Sequence, residues 1–508
     1  MTCFKPAPTF ALTLSLAVSA TAAFADLTPE QVWEDWKSYL GGFGYEVTGE
    51  PSQTGTILSL SDMGVTMQAP DNSGSVSMRL EQVQMIGNDD GSVSVVLPER
   101  MPVAITALDP DGKEVTTTLE IAHQGLNMTV SGTPERMRYD YRAKELSMEL
   151  TDLLSEGESV GVKAAQIRFA DMSGNSQSVV SGTLRALNQT MTAGPVSYEL
   201  DVNAPENGGR LVLGGKVAQA TFDGQTQIPQ SFDANDMAAN LLAGFRFDSR
   251  FKYQTGSSSY RFEEGSTVIE GTQGSDSGQL TGAIGPDGLR YGGEGRNFEI
   301  AMSGTDLPFP VTLDMARFGF EVAMPVAKSD DAQDFAVKLD LTDFTMSDMI
   351  WALFDPGQKL PRDPATIALD LSGKGRLFYD LLDPATAKKL EVEGTPPGQL
   401  ETLDLNNFML SVAGAKLTGE GAFVFDQNDL TSFEGMAAPE GAIDLKLLGG
   451  NTLLDKLIAM GLLPQQQATG FRMMMGLFAV PGEGEDTLSS RIEFTQDGQV
   501  LANGQRLK

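Results

Sequence analysis

Three kinds of residue in this 508-residue chain could do chemistry: a single histidine, scattered acidic turns, and a crowd of methionines. His123 is the sole imidazole, in Leu119-Glu120-Ile121-Ala122-His123-Gln124 just ahead of Gly125. With only one cysteine besides, the common zinc, copper and Cys–His arrangements lack ligands, because those sites need several such side chains. A Ser–His–Asp triad would have to use His123, yet no Gly-x-Ser-x-Gly elbow accompanies it. The residue is therefore read as structural or solvent-facing. Asp89-Asp90-Gly91 and Asp109-Pro110-Asp111-Gly112 set two carboxylates beside a glycine, as calcium loops do. Neither continues into the twelve-residue pattern with its closing glutamate, and Asp-Gly is ordinary hairpin-turn chemistry. No carboxylate pair stands out among the 68 acids, so no catalytic residue, metal ligand or cofactor is assigned.

Met460, Met473, Met474 and Met475 crowd with leucines into Gly449–Phe478, where two helices are expected on either side of Gly461-Leu462-Leu463-Pro464. Their apolar residues are too many for one narrow face. Excess helical apolarity usually means burial, so the first expectation is a helix pair filling a core against a curved sheet. The second is an adaptable apolar site, since methionine is flexible and polarisable. Leu457, Met460, Met474 and Phe478 are the candidate ligand-lining residues on that reading.

The elements that would position these groups are mostly strands. An opening helix is signalled by Thr28 as N-cap, Pro29 at the first helical position and Gln31 at capping-box spacing, with Gly41-Gly42 as its stop. Val32, Trp33, Trp36, Tyr39 and Leu40 form its apolar face. From Tyr45 to about Pro229 the apolar period is two, as in Val76-Ser77-Met78-Arg79-Leu80 and Leu126-Asn127-Met128-Thr129-Val130, which predicts antiparallel strands with one buried and one wet face. A second helix is predicted over Asp233–Ala243, then more strands, with Gly271–Gly285 read as an exposed hairpin or loop because it is rich in Gly and Ser. The C-terminal third mixes periods. Helices are predicted at Ser347–Phe354, Leu377–Leu382, Asn451–Met460 and Pro464–Phe478, and a closing hairpin turns at Asp497-Gly498. The expected fold class is mainly β with some α: long curved antiparallel meanders, a few packed helices, and an α+β last third. The expected division is 26–230, 231–345 and 346–508, the last able to share one continuous sheet with the region before it.

Residues 1–25 have the anatomy of a cleavable secretory signal: Lys5 early, an apolar run from Phe10, and Ala23-Phe24-Ala25 at the end. Cleavage after Ala25 and a periplasmic location are expected. The run is short of the roughly 20 apolar residues of a permanent span, and no later segment qualifies as a membrane helix. The formal net charge is −32, with acids spread through the whole chain. Such a surface argues against binding nucleic acid or anionic headgroups by charge.

The runs GAKLTGEGAFVFDQNDL (Gly414–Leu430), GAIDLKLLGGNTLLDKLIAMGLLP (Gly441–Pro464) and GFRMMMGLFAVPGEGEDTLSSRIEFTQDGQVLANGQRLK (Gly470–Lys508) carry a resemblance. So do LPRDPATIALDLSG (Leu360–Gly373) and the opening DLTPEQVWEDWKSYLGGFGYEVT (Asp26–Thr48). Together they resemble the alphaproteobacterial family of domain of unknown function 2125, which implies an exported protein and supplies no catalytic residues. The style of the strand pairs also looks like AsmA-like and YdgA-like envelope proteins, some of which are associated with lipid handling or outer-membrane assembly. Three functions fit these features. The first is a non-catalytic periplasmic binder or carrier of a lipid or other apolar ligand. The second is a structural or assembly protein that binds other envelope proteins, and the third a carboxylate-based hydrolase.

Overall fold

A computed structural model describes residues 26–507 apart from 70–73, 109–111, 156, 160, 204–207, 384–385, 387–388 and 391–395. The proposed signal at 1–25 and the turn at Asp109–Asp111 lie outside the described residues. Strands make up 64% of the described residues and helices 12%, so the fold is mainly β with some α. Helix α1 (Pro29–Gly42) starts as its residues dictate: Thr28 and Gln31 close the capping box, and Pro29 stands at the first turn.

All the strands join one antiparallel sheet. The first part holds β1 (Glu46–Thr54), β2 (Ile57–Gln68), β3 (Gly74–Gly87), β4 (Val93–Val96), β5 (Arg100–Leu108), β6 (Glu114–Gln124), β7 (Asn127–Thr133) and β8 (Arg136–Ser155). Then come β9 (Glu158–Ser159), β10 (Val162–Ser181), β11 (Leu184–Ala193), β12 (Val196–Asn203) and β13 (Arg210–Pro229). This part is not a simple meander. Short strands lie end to end beside long ones: β4 and β5 both pair with β3, β6 and β7 with β8, and β11 and β12 with both β10 and β13.

Helix α2 (Met237–Leu242) follows, shorter than the predicted Asp233–Ala243. Asp233 turns the chain instead: its carboxylate accepts from the Asn235 amide, and its backbone bonds both ways with the Asn240 side chain. Strands β14 (Arg246–Glu264), β15 (Thr267–Gly285), β16 (Gly288–Gly304), β17 (Val311–Met324) and β18 (Gln333–Met346) then pair in order. Pairing runs unbroken from β13 into β14, from Arg210↔Glu263 to Gln227↔Arg246. After α3 (Asp348–Phe354) come β19 (Ala365–Leu377), β20 (Gly398–Val412), β21 (Ala415–Asp426) and β22 (Ala438–Leu448). Helices α4 (Gly450–Ala459) and α5 (Gln465–Phe478) precede β23 (Val480–Pro481), β24 (Thr487–Phe494), β25 (Val500–Ala502) and β26 (Gln505–Arg506).

Two further expectations need correction. Leu377–Leu382 is no helix: Leu377 ends β19, and the next residues form bends and a turn. Gly271–Gly285 is neither a loop nor an exposed hairpin but the body of β15, paired on both sides. Its glycines serve packing rather than turning. Gly278 faces Tyr253, whose ring occupies the place a Cβ would take.

A crease crosses the sheet. In β14 the residues of one face step by two up to Tyr253, then by three to Gly256. Thr255, at φ 43°, is the residue passed over. Asp62, Asp171, Asn297 and Asp343 play the same part in β2, β10, β16 and β18, each with φ near +50°. Asp and Asn tolerate that left-handed conformation best, which explains their recurrence. The step returns the apolar residues to the same face, where a strict period of two would have flipped them.

Candidate functional site

Register defines the site. Reading straight across the strands, Leu58 pairs with Met85, Met85 with Val95, Val95 with Met128 and Met128 with Tyr141. The row continues through Gly174, Met191, Phe222 and Phe251. It then passes Leu280, Gly293, Phe320, Leu339, Leu369, Phe408, Gly419 and Leu445. Every position from β2 to β22 is apolar, tyrosine or glycine. At about 4.8 Å per strand the row extends roughly 75 Å. One residue along, the opposite face reads Lys252, Gln279, Glu294, Gly319 and Asp340. Alternation has sorted one sheet into an apolar face and a charged one.

The apolar face has two regimes. Over the first strands it is a core: Leu60, Val83, Met85, Val93 and Val130 are fully buried, with Val32 and Trp33 of α1 packed on them. A polar cluster fixes α1 there. Arg185 meets Asp35 at 2.7 Å, both nearly buried, and also donates to the Ser178 hydroxyl. The Tyr139 hydroxyl donates to Asp35 at 3.0 Å. Burial, then the Asp35 charge beside it, pushes the Tyr139 phenol far above its ordinary value. A cavity of about 240 Å³ remains between α1 and the sheet, lined by Trp36, Tyr39, Met128, Tyr141 and Leu187 among others.

From β15 onward the same face has little cover. Leu280 is 45% exposed, Tyr291 49%, and Val322 and Met324 38% each. These exposures follow from a sheet that has too few helices to cover it. The one-buried-face expectation, made for Tyr45 to about Pro229, holds under α1; the exposed residues from β15 onward lie outside those bounds.

The charged face carries hollows instead. One of about 890 Å³ is lined by Arg246, Asp248, Arg290, Glu321 and Lys374 among others. Its ions answer one another, as in Arg246–Asp287 and Lys374–Asp334, so it has the character of a solvated surface. Asp90 accepts from the amide and hydroxyl of Ser92, which makes Asp89-Asp90-Gly91 a closed turn. Among the described residues no three His, Cys, Asp or Glu side chains gather as a metal site would need. His123 is 9% exposed, faces Leu146 across β8, and has no partner for either ring nitrogen among the described residues.

Leu457 lies on α4, Met460 is its C-cap, and Met474 and Phe478 lie on α5; the two helices pack on each other. Leu457, Met460 and Phe478 are half-buried, while Met474 is 55% exposed. None of the four lines the cavities described above. The helix pair is not the filled core first expected, since Ala468 alone is buried on it. Sequence reasoning placed the apolar site on these helices and missed the long face of the sheet. Its signal was present as alternation in many of the strands, but register was needed to join them.

Residues 253–507, just over half of the chain, match the family model described as "Uncharacterized protein conserved in bacteria (DUF2125)". The chain belongs to this family. The match begins in β14, so the DUF2125 region contains the exposed part of the apolar face and both C-terminal helices, while α1 precedes it. No curated protein matches the chain. Among solved structures, the crystal structure of the ferric citrate transporter FecA in its unliganded form is similar at 7% identity and a TM-score of 0.16. The match covers 90% of this chain and 75% of that one. A score that low carries no argument.

Proposed function

We propose that this DUF2125 protein is exported, with cleavage after Ala25, and works in the periplasm as a non-catalytic binder or carrier of a lipid or other apolar ligand. The observation that supports this reading is the unbroken apolar row from Leu58 to Leu445, left open from Leu280 onward. An open face of that length is costly in water, because exposed apolar surface disfavours the molecule by roughly 25 cal/mol per Å². A long, flexible, apolar ligand covers such a face without needing matched hydrogen-bond partners. Acyl chains have those properties. α1 closes the face at its N-terminal end, and its buried Asp35–Arg185 pair fixes that stop.

The test is to place a photoreactive benzophenone side chain at Leu280 or Val322, irradiate cells, and analyse the captured adduct by mass spectrometry. The reading expects lipid-sized adducts at both positions and none when the probe sits at Lys252 on the charged face. Protein adducts at Leu280 and Val322 would favour the assembly reading instead.

A further inference from the structure

The helix pair presents a second apolar surface, separate from the sheet. In α5, Ala468, Arg472 and Met475 fall on one side and are the less exposed residues. Phe471 (54% exposed), Met473 (71%), Met474 (55%) and Leu477 (54%) occupy the other side, over about 160° of circumference at 3.6 residues per turn. Exposed Met349 and Leu353 on α3 lie at the same end of the sheet, since Lys359, just beyond α3, donates to the Ala459 carbonyl of α4.

Charge distinguishes this surface from the rest of the molecule. Between Leu457 and Gly482 the single charged residue is Arg472, in a chain of formal net charge −32. Two of the carboxylates beside the pair are engaged: Asp455 pairs with Arg472 at 2.6 Å, and Asp486 accepts from the amides of Asn451 and Thr452, while Glu483 and Glu485 are exposed beyond its C-terminal end. A strongly acidic molecule is repelled by an anionic surface and by a second copy of itself. Over this helix face no carboxylate stands between the exposed apolar side chains and an approaching surface. A helix polar at its start (Gln465, Gln466, Gln467) with Phe, Met and Leu outward towards its end has the build of a segment that lies in a membrane interface.

We propose that α5, with α3 beside it, docks this protein on a lipid bilayer by inserting Phe471, Met473, Met474 and Leu477 into the interface. Docking is driven by apolar burial and leaves the acidic body outside. It stands apart from ligand binding on the sheet, because neither Met473 nor Met474 lies on the apolar row.

The experiment is flotation of the purified full chain with phosphatidylethanolamine–phosphatidylglycerol vesicles (3:1). It compares the wild type with a Met473→Asp, Met474→Asp double variant and with Val322→Asp. The expected result is that the wild type floats, the double variant loses at least tenfold in bound fraction at an unchanged melting temperature, and Val322→Asp floats like the wild type. Failure of the wild type to float, or undiminished flotation of the double variant, overturns the proposal. So does concentration-dependent self-association that the double variant abolishes, because the surface would then belong to a second copy.

Discussion

At the residue scale, the polar groups of this molecule hold elements in place. Asp35 and Arg185 are buried together under α1, and removing one partner strands the other charge. Arg185→Met is expected to cost about 3–5 kcal/mol by urea unfolding, while the double variant Asp35→Leu, Arg185→Met recovers a large part of that loss. Asp486 caps α4 from outside the helix, because Gly449 at its N-cap has no side chain to do so. Burial pushes the Asp486 carboxyl up, but the donors of Thr452 and Asn451 outweigh it and hold the group below the ordinary carboxylate range. A carboxyl lowered by folding stabilises above its unfolded value and loses that contribution as pH falls through its folded one. Hydrogen exchange at Asn451 and Thr452 should therefore accelerate below about pH 4. Asp486→Ala should produce the same acceleration at neutral pH, with a loss of about 1 kcal/mol.

At the element scale, glycine placement and the crease decide which strands form. Gly278→Ala must displace the Tyr253 ring and is expected to cost about 1–3 kcal/mol. Gly274, three positions after Gly271 on the same strand, would have nothing within 4 Å of an added Cβ, so Gly274→Ala should be neutral or stabilising by up to about 1 kcal/mol. Thr255, β-branched at positive φ, is strained, and Thr255→Gly should raise stability by about 1 kcal/mol. Thermal melts of the three variants check these signs. The same details mark the limit of sequence reading. The strands were legible from Val76–Leu80 or Leu126–Val130 because a period of two exposes itself locally. The helix start at Thr28–Gln31 was legible because capping is local too. β15 was not, since its Gly and Ser make sense only opposite Tyr253 and Tyr260 on the neighbouring strand. The three-residue steps at Asp62, Asp171 and Asn297 likewise break the period without ending the strand, so sequence reading sees several short strands where one long strand runs.

At the scale of the whole molecule, the apolar face is one surface with two fates: covered by α1 on the first strands, open across the DUF2125 region. Val322 and Met85 have opposite environments on the same face, the one 38% exposed and the other fully buried. Met85→Asp should therefore unfold the N-terminal core, whereas Val322→Asp should leave the melt nearly unchanged. The candidate residues Leu457, Met460, Met474 and Phe478 were found by local crowding of apolar residues, a signal that cannot distinguish a ligand-lining face from an exposed one. The longer face emerges only when the strands are set in register. The measurement that bears most directly on its role is native mass spectrometry of the protein released gently from the cell envelope, with wild type and Val322→Asp side by side. The account predicts a lipid-sized mass on the wild type that Val322→Asp loses while staying folded. A ligand-free wild type, or an equal load on both, would contradict it.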